Sequence, residues 1–242
     1  VTPVVDIVIK SYPKDYPWLD YCLRSIQKFA TGFNDVIVMI PRDAPLPLTK
    51  EKMVLLDVPE NYLSQQAAKL NADRHTKADY VLHFDSDMIF TRPVTPSFFF
   101  TNGKPAWAIT EWGDMPGKVE MLAWYHVMAK LFLQPPPYEF MRKCAILAPR
   151  WLYAELRAFI QETHGMTMES YVMNQPGNEF SEYNALGFLA WFKFRDKFHW
   201  HDTEKEGCDW PFKQFWSHSG MQQEGHIGPT AAERAEIDEI LK

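Results

Sequence analysis

The sequence has little that would cross-link it, anchor it in a bilayer or draw it to a polyanion. Its three cysteines, Cys22, Cys144 and Cys208, are odd in number and widely spaced, with no C-x-x-C pair. That excludes a disulfide framework and points to a reducing, cytoplasmic setting. No apolar run reaches transmembrane length, and the first residues lack the basic-then-apolar layout of a signal peptide, so no integral membrane segment is expected. The chain starts at Val1, which leaves room for a neighbouring domain or anchor beyond it. Positive charge is also scarce: 25 Lys and Arg against 31 Asp and Glu give a formal net charge of −6. The counterion-release attraction that dominates nucleic-acid binding is therefore missing, and nucleic acid is not an expected partner. G-x-G-x-x-G and G-x-S-x-G are absent, and "GDMPG" has too few glycines, in the wrong order, for a phosphate loop. Any bound anion would need a metal or local basic residues to offset the acidic field.

What is present suits one sizeable α/β domain: 242 residues, 46% of them hydrophobic and 15% aromatic. Nine Trp and ten Tyr either pack a large core or line a cleft for sugars or bases. "VVDIVIK" (Val4 to Lys10) reads as a buried strand, and "WLDYCLRSIQKFA" behind it places Leu19, Cys22, Ile26 and Phe29 on one helical face. "DVIVMI" (Asp35 to Ile40), "MVLLDV" (Met53 to Val58) and "YVLHFD" supply three further strands, and "LSQQAAKLNADRH" has helix-forming composition. Strands alternating with helices over the first ninety or so residues imply a mostly parallel sheet covered on both faces. The second half is less regular, with strands at "AWAIT" and "CAILAP", helices at "VEMLAWYHVMAKLF" and "RWLYAELRAFIQE", and "QPPPY" as a stop. A capping box, Thr230 to Glu233, opens a polar C-terminal helix. The expected division is a single domain, 1–242, with a nucleotide-binding half at 1–110, an acceptor half at 111–228 and the last helix at 229–242.

In "KADYVLHFDSDMIF" a buried-strand pattern runs straight into Asp85 and Asp87. Residues two apart in a strand share a face, so the two carboxylates would converge while Ser86 points away. Two hard oxygen ligands with coordination positions to spare suit Mg²⁺ or Mn²⁺ bridging to phosphates, at the carboxyl end of a strand where open α/β sheets bind ligands. Solvated acids in a turn are the plainer alternative, and the apolar residues on both sides argue against it. His199 and His201 share another strand face, and with Cys208 and Asp202 they could hold zinc, although the spacing matches no standard zinc framework.

A strand followed by D-x-D also occurs in haloacid-dehalogenase phosphatases, but there it usually follows the first strand and a later acidic motif completes the site; here it follows the fourth, and no such motif exists. "AKLNADRHTKADYVLHFDSDMIF", "CAILAPRWLYAEL", "FSEYNALG" and "FWSHSG" together resemble the GT-A glycosyltransferases, including bacterial and chlorella-virus enzymes that build surface glycans. The resemblance implies a Rossmann-like GT-A fold with a mixed, mostly parallel central sheet and helices on both faces. It implies that Asp85 approaches the ribose or metal, that Asp87 binds the metal, and that His218, in "FWSHSG", is the third ligand as in glycogenin-like enzymes. An imidazole ligand favours Mn²⁺ over Mg²⁺. Lys69 would contact the acidic pair or the phosphates. Lys10, Ser11 and Tyr12 would hold base and ribose, with Tyr12 able to stack on a pyrimidine, and Ser86, Asp114 and Arg142 complete the expected donor-binding set.

The implied reaction is metal-dependent transfer of a sugar from a nucleotide sugar, foremost a UDP-sugar, to a glycan or other hydroxyl acceptor. If configuration inverts, a carboxylate must deprotonate the acceptor, and Glu182 is the candidate, with Asp114 and Asp209 in reserve. The plain alternative for Glu182 is an acid complementing a helix N-terminus beside a Ser181 cap. Two other readings use the same residues: a metal-dependent phosphohydrolase or nucleotidyltransferase, and a catalytically silent glycan-binding module.

Overall fold

The computed structural model describes residues 3–114, 118–141, 145–207, 209–215 and 228–242, the side chains of 114 and 118–121 excepted. The N-terminal half comprises β1 (Val5–Lys10), α1 (Tyr16–Phe29), β2 (Val36–Pro41), β3 (Lys52–Leu56), α2 (Tyr62–Lys69), β4 (Tyr80–His83) and β5 (Met88–Phe90). Then come β6 (Phe100–Thr101), β7 (Lys104–Glu111), α3 (Lys118–Phe132), β8 (Tyr138–Glu139), β9 (Ile146–Pro149), α4 (Arg150–His164) and α5 (Met168–Met173). The chain closes with α6 (Glu182–Phe194), β10 (His199–Asp202), α7 (Thr203–Glu206), β11 (Phe212–Gln214) and α8 (Ala231–Ile240).

The central sheet has the order β3-β2-β1-β4-β9; its first four strands are mutually parallel and β9 runs antiparallel to β4. Alternation along the strands divides the core into two layers. Val5, Ile7 and Ile9 of β1 pack with Leu19, Cys22, Leu23 and Ile26 of α1. Val8 faces the opposite layer, with Ala67 and Ala68 of α2, Leu152 and Leu156 of α4, and Leu186 and Leu189 of α6. The fold is therefore α/β, a mixed and mostly parallel sheet with helices on both faces. Because β2 and β3 lie on one side of β1 and β4 on the other, the strand order reverses between β1 and β4, which opens a crevice at their carboxyl ends.

Two local expectations differ from the structure. Between β2 and β3 the chain crosses without a helix, through residues that include Pro45 and Pro47, whose missing N–H groups and fixed φ discourage one. β4 ends at His83, and Asp85 to Asp87 form a turn closed by the Met88 N–H on the Asp85 carbonyl at 3.0 Å. Strand alternation therefore does not set how the two carboxylates are aimed; the turn does. The capping box of α8 is present, with Thr230 and Glu233 exchanging bonds as expected. A smaller sheet orders β10-β7-β6, with β8 on β7, and β11 pairs antiparallel with β5. Among the described residues, no helix is long and apolar enough to cross a membrane.

Candidate functional site

A cavity of about 750 Å³ lies at the β1/β4 crevice, on the side of the sheet covered by α2 and α6. Its floor is set by two helix starts. Asn61 caps α2 by accepting the Ser64 N–H, and Ser181 caps α6 by accepting the Asn184 N–H. The two starts are tied together: the Tyr62 hydroxyl donates to the Phe180 carbonyl at 2.7 Å, and the Glu182 N–H donates to the Gln66 side chain at 3.2 Å. This brings Lys69, at the end of α2, against Glu182 and Tyr183, in the first turn of α6.

Lys69 is 4% exposed and its ammonium has a partner for each of its three donors: Asp85 Oδ1 at 2.6 Å, Glu182 Oε1 at 2.9 Å and the Tyr183 hydroxyl at 3.1 Å. Burial alone would lower its pKa, but Asp85, Glu182 and Tyr183 outweigh that and hold it well above the ordinary lysine value. Burial pushes the Glu182 carboxyl up, and Lys69 restrains the rise. The Tyr183 hydroxyl in turn donates to Asp85 Oδ1 at 3.2 Å. Asp87 is held from the other side, its Oδ1 accepting from Gln214 at 3.2 Å and its carbonyl accepting the Phe215 N–H at 3.0 Å. β11 thus braces the acidic turn. Beneath the turn, His83 sits 2.6 Å from the Tyr153 hydroxyl; burial, then the Lys69 charge, lowers it to about 3 and keeps it neutral.

Lys10 reaches the same cavity from β1. Its ammonium lies 3.7 Å above the Tyr12 ring and donates to the Ser11 carbonyl, while burial, then Lys69, brings its pKa down to about 7. Of the expected donor-binding residues, Lys10, Tyr12, Lys69, Asp85, Ser86 and Asp87 line the cavity together with Glu182. Ser11 does not: it is wholly buried beneath Lys10, with an unpartnered hydroxyl. Tyr12 is 3% exposed, with Lys10 over one face and its hydroxyl on the Asn61 carbonyl, so the expected stacking on a pyrimidine does not fit the ring as placed. Asp209 is bound to Arg92 at 2.7 Å, outside the cavity. His218 and Arg142, and the side chain of Asp114, lie outside the described residues.

Sequence reasoning missed Tyr183 and Gln214, although the first adjoins Glu182 and the second immediately precedes "FWSHSG". It also missed Trp124, whose indole donates to the Asn178 carbonyl at the cavity wall. The aromatics divide between cavity and core: Tyr12, Tyr62, Trp124 and Tyr183 line the cavity, whereas Trp18 and Trp107 are buried in the core. The expected zinc set is revised. Asp202 caps α7, accepting from the Glu204 and Lys205 N–H groups, and pairs with Lys205 at 2.6 Å; Cys208 lies outside the described residues.

The arrangement sets two buried lysines and the carboxylates of Asp85 and Asp87 around one cavity. Among curated proteins, the receptor polysaccharide phosphotransferase WefC of Streptococcus oralis is 30% identical over 103 residues, covering 38% of this chain. The chain spans 31% of that protein's length. The profile of DUF6492, described as a family of unknown function, matches residues 11–222, and the chain belongs to that family.

Proposed function

We propose that the protein is a metal-dependent transferase of the GT-A glycosyltransferase type, moving a sugar from a nucleotide sugar, foremost a UDP-sugar, to a glycan or other hydroxyl acceptor. The observation that carries this reading is the Asp85-Ser86-Asp87 turn, set at the strand-order reversal and opening with Lys10 and Lys69 on a cavity of about 750 Å³. That volume accommodates a ligand of nucleotide-sugar size. The carboxylates of Asp85 and Asp87 fit a hard divalent ion: both acids line the cavity, the Asp85 side chain being 19% exposed and Asp87, though buried, lining it too. Mn²⁺ or Mg²⁺ on these residues, with His218 as the expected third ligand, would neutralise the diphosphate and its developing charge.

The chain's own residues supply the remainder. Lys69 fixes Asp85 and adds a permanent positive charge beside it. Lys10, lowered to about 7, gains a reason to hold its proton when a diphosphate enters. Glu182, raised by burial and lining the cavity, is the carboxylate to which this reading assigns the acceptor's proton. A cytoplasmic location belongs to the same proposal.

The similarity to a polysaccharide phosphotransferase favours a second reading on the same site, transfer of a sugar phosphate. The two differ in the electrophile. Attack of the acceptor oxygen at the anomeric carbon breaks the sugar–phosphate bond and releases a nucleoside diphosphate. Attack at the distal phosphorus breaks the phosphoanhydride and releases a nucleoside monophosphate. Incubation with UDP-, GDP-, dTDP- and CMP-sugars, Mn²⁺ and glycan acceptors, followed by nucleotide chromatography, separates them. The diphosphate from a UDP-sugar supports sugar transfer, the monophosphate supports the second reading, and acceptor-independent release of inorganic phosphate would favour a phosphohydrolase.

A further inference from the structure

A second constellation stands apart from the cavity. Alternation along β10 puts His199 and His201 on one face, and α7, a single turn, returns Glu206 to it. One ligand atom from each of the three lies within 4.8 Å of the others, and none of the three lines the cavity. Four-coordinate zinc places its ligand atoms about 3.4 Å apart, a small side-chain adjustment away.

The hydrogen bonding of His201 gives the cluster its direction. Nε2 lies 2.7 Å from the Gly207 carbonyl, which can only accept, so Nε2 is the donor in that bond. That leaves Nδ1 3.3 Å from Glu206 Oε2. With Nε2 committed to that carbonyl, Nδ1 is the ring nitrogen on the Glu206 side of the cluster. A backbone carbonyl holding the far N–H is also the usual outer partner of a metal-bound histidine. Glu206 is steadied by its other oxygen, which accepts the Asp202 N–H at 3.1 Å. Asp202 and Lys205 are occupied with each other and with the α7 cap, which leaves Glu206 as the carboxylate directed at the histidines.

We propose that His199, His201 and Glu206 bind one borderline divalent cation of the zinc class, two imidazoles and a carboxylate leaving a position for water. The role is structural. The ion would clamp α7 onto β10, ahead of Asp209, which is paired with Arg92, and of β11, whose Gln214 holds Asp87. A clamp here steadies the strand that braces the acidic turn.

The test uses the full chain without a histidine tag, stripped with chelator. Zn²⁺ titration by calorimetry and the visible absorption of a Co²⁺-loaded sample are the readouts. One equivalent of Zn²⁺ at micromolar affinity or better is expected, with a rise in Tm and a tetrahedral Co²⁺ spectrum. Affinity should fall at least tenfold in His201→Ala and in Glu206→Gln, and persist in Asp87→Asn, which separates this ion from one at the acidic turn. If His201→Ala fails to fold, as judged by circular dichroism, the exposed Glu206→Gln carries the test. Absence of zinc binding at micromolar concentration, or unchanged affinity in a folded His199→Ala/His201→Ala chain, would overturn the proposal, and the His201 to Glu206 contact would then be a plain imidazolium–carboxylate pair.

Discussion

Lys69→Met removes the one cation that joins two acids at the cavity wall. At an effective dielectric of about 20, the contacts at 2.6 Å to Asp85 and 2.9 Å to Glu182 are each worth ~6 kcal/mol of attraction, most of which offsets desolvation. Methionine conserves much of the volume and keeps the desolvation while abolishing the attraction, so the variant should lose about 3–5 kcal/mol. For a chain of this length that is roughly 6–20 °C in Tm. The loss should depend on pH with a definite sign. Without Lys69, burial and Asp85 still raise the Glu182 carboxyl, and only the smaller effect of a backbone hydrogen bond restrains it. Its folded pKa then exceeds its unfolded one, the folded state binds more protons between them, and stability falls as pH rises through the folded value. Urea denaturation should therefore show a smaller deficit near pH 5.5 than near pH 7.5, and Lys69→Met/Glu182→Gln should recover about half of it. Asp85, partly exposed, can reach water. A deficit under about 1 kcal/mol, or one that neither low pH nor Glu182→Gln relieves, would refute the reasoning.

Three further outcomes are expected. Glu182→Gln keeps an amide oxygen for Lys69 but cannot take a proton, so donor affinity measured by calorimetry should hold while acceptor-dependent turnover falls by roughly 10²–10⁴; unchanged turnover would remove Glu182 from the mechanism. Lys10, lowered to about 7, should take up a proton as a nucleoside diphosphate binds near pH 8, seen as a dependence of binding heat on buffer ionisation enthalpy. Lys10→Met should abolish that uptake, and its persistence would show that another group titrates. Gly187→Ala would set a Cβ 2.4 Å from that of Phe140, whose backbone is pinned by Asn184 and by the Trp107 indole. Overpacking should cost about 1–3 kcal/mol in urea denaturation despite alanine's better helix propensity; a neutral change would mean that Phe140 can move.

How far the site could be read from the sequence follows from how local its determinants are. β1, β2 and α1 were legible because β-branched runs and one apolar helical stripe each need only neighbouring residues. The D-x-D stretch stood out for the same reason, since two acids beside a buried run are conspicuous. The end of β4 was not legible: Phe84 continues the apolar pattern and is buried, yet it already belongs to the connection into the turn. Glu182 was recognised as starting a helix, but its pairing with Lys69 depends on α2 meeting α6 from distant parts of the chain. Glu206 was overlooked because "TEKE" reads as solvated charge until a single helical turn folds it back over β10.

Calorimetric titration of a UDP-sugar into the wild-type chain and into Asp87→Asn, each with Mn²⁺ and with EDTA, tests the central claim most directly. Strong binding to the wild type with Mn²⁺, and a large loss both on chelation and in Asp87→Asn, is the expected result. Equal affinity with and without the metal, or an unaffected Asp87→Asn, would contradict it.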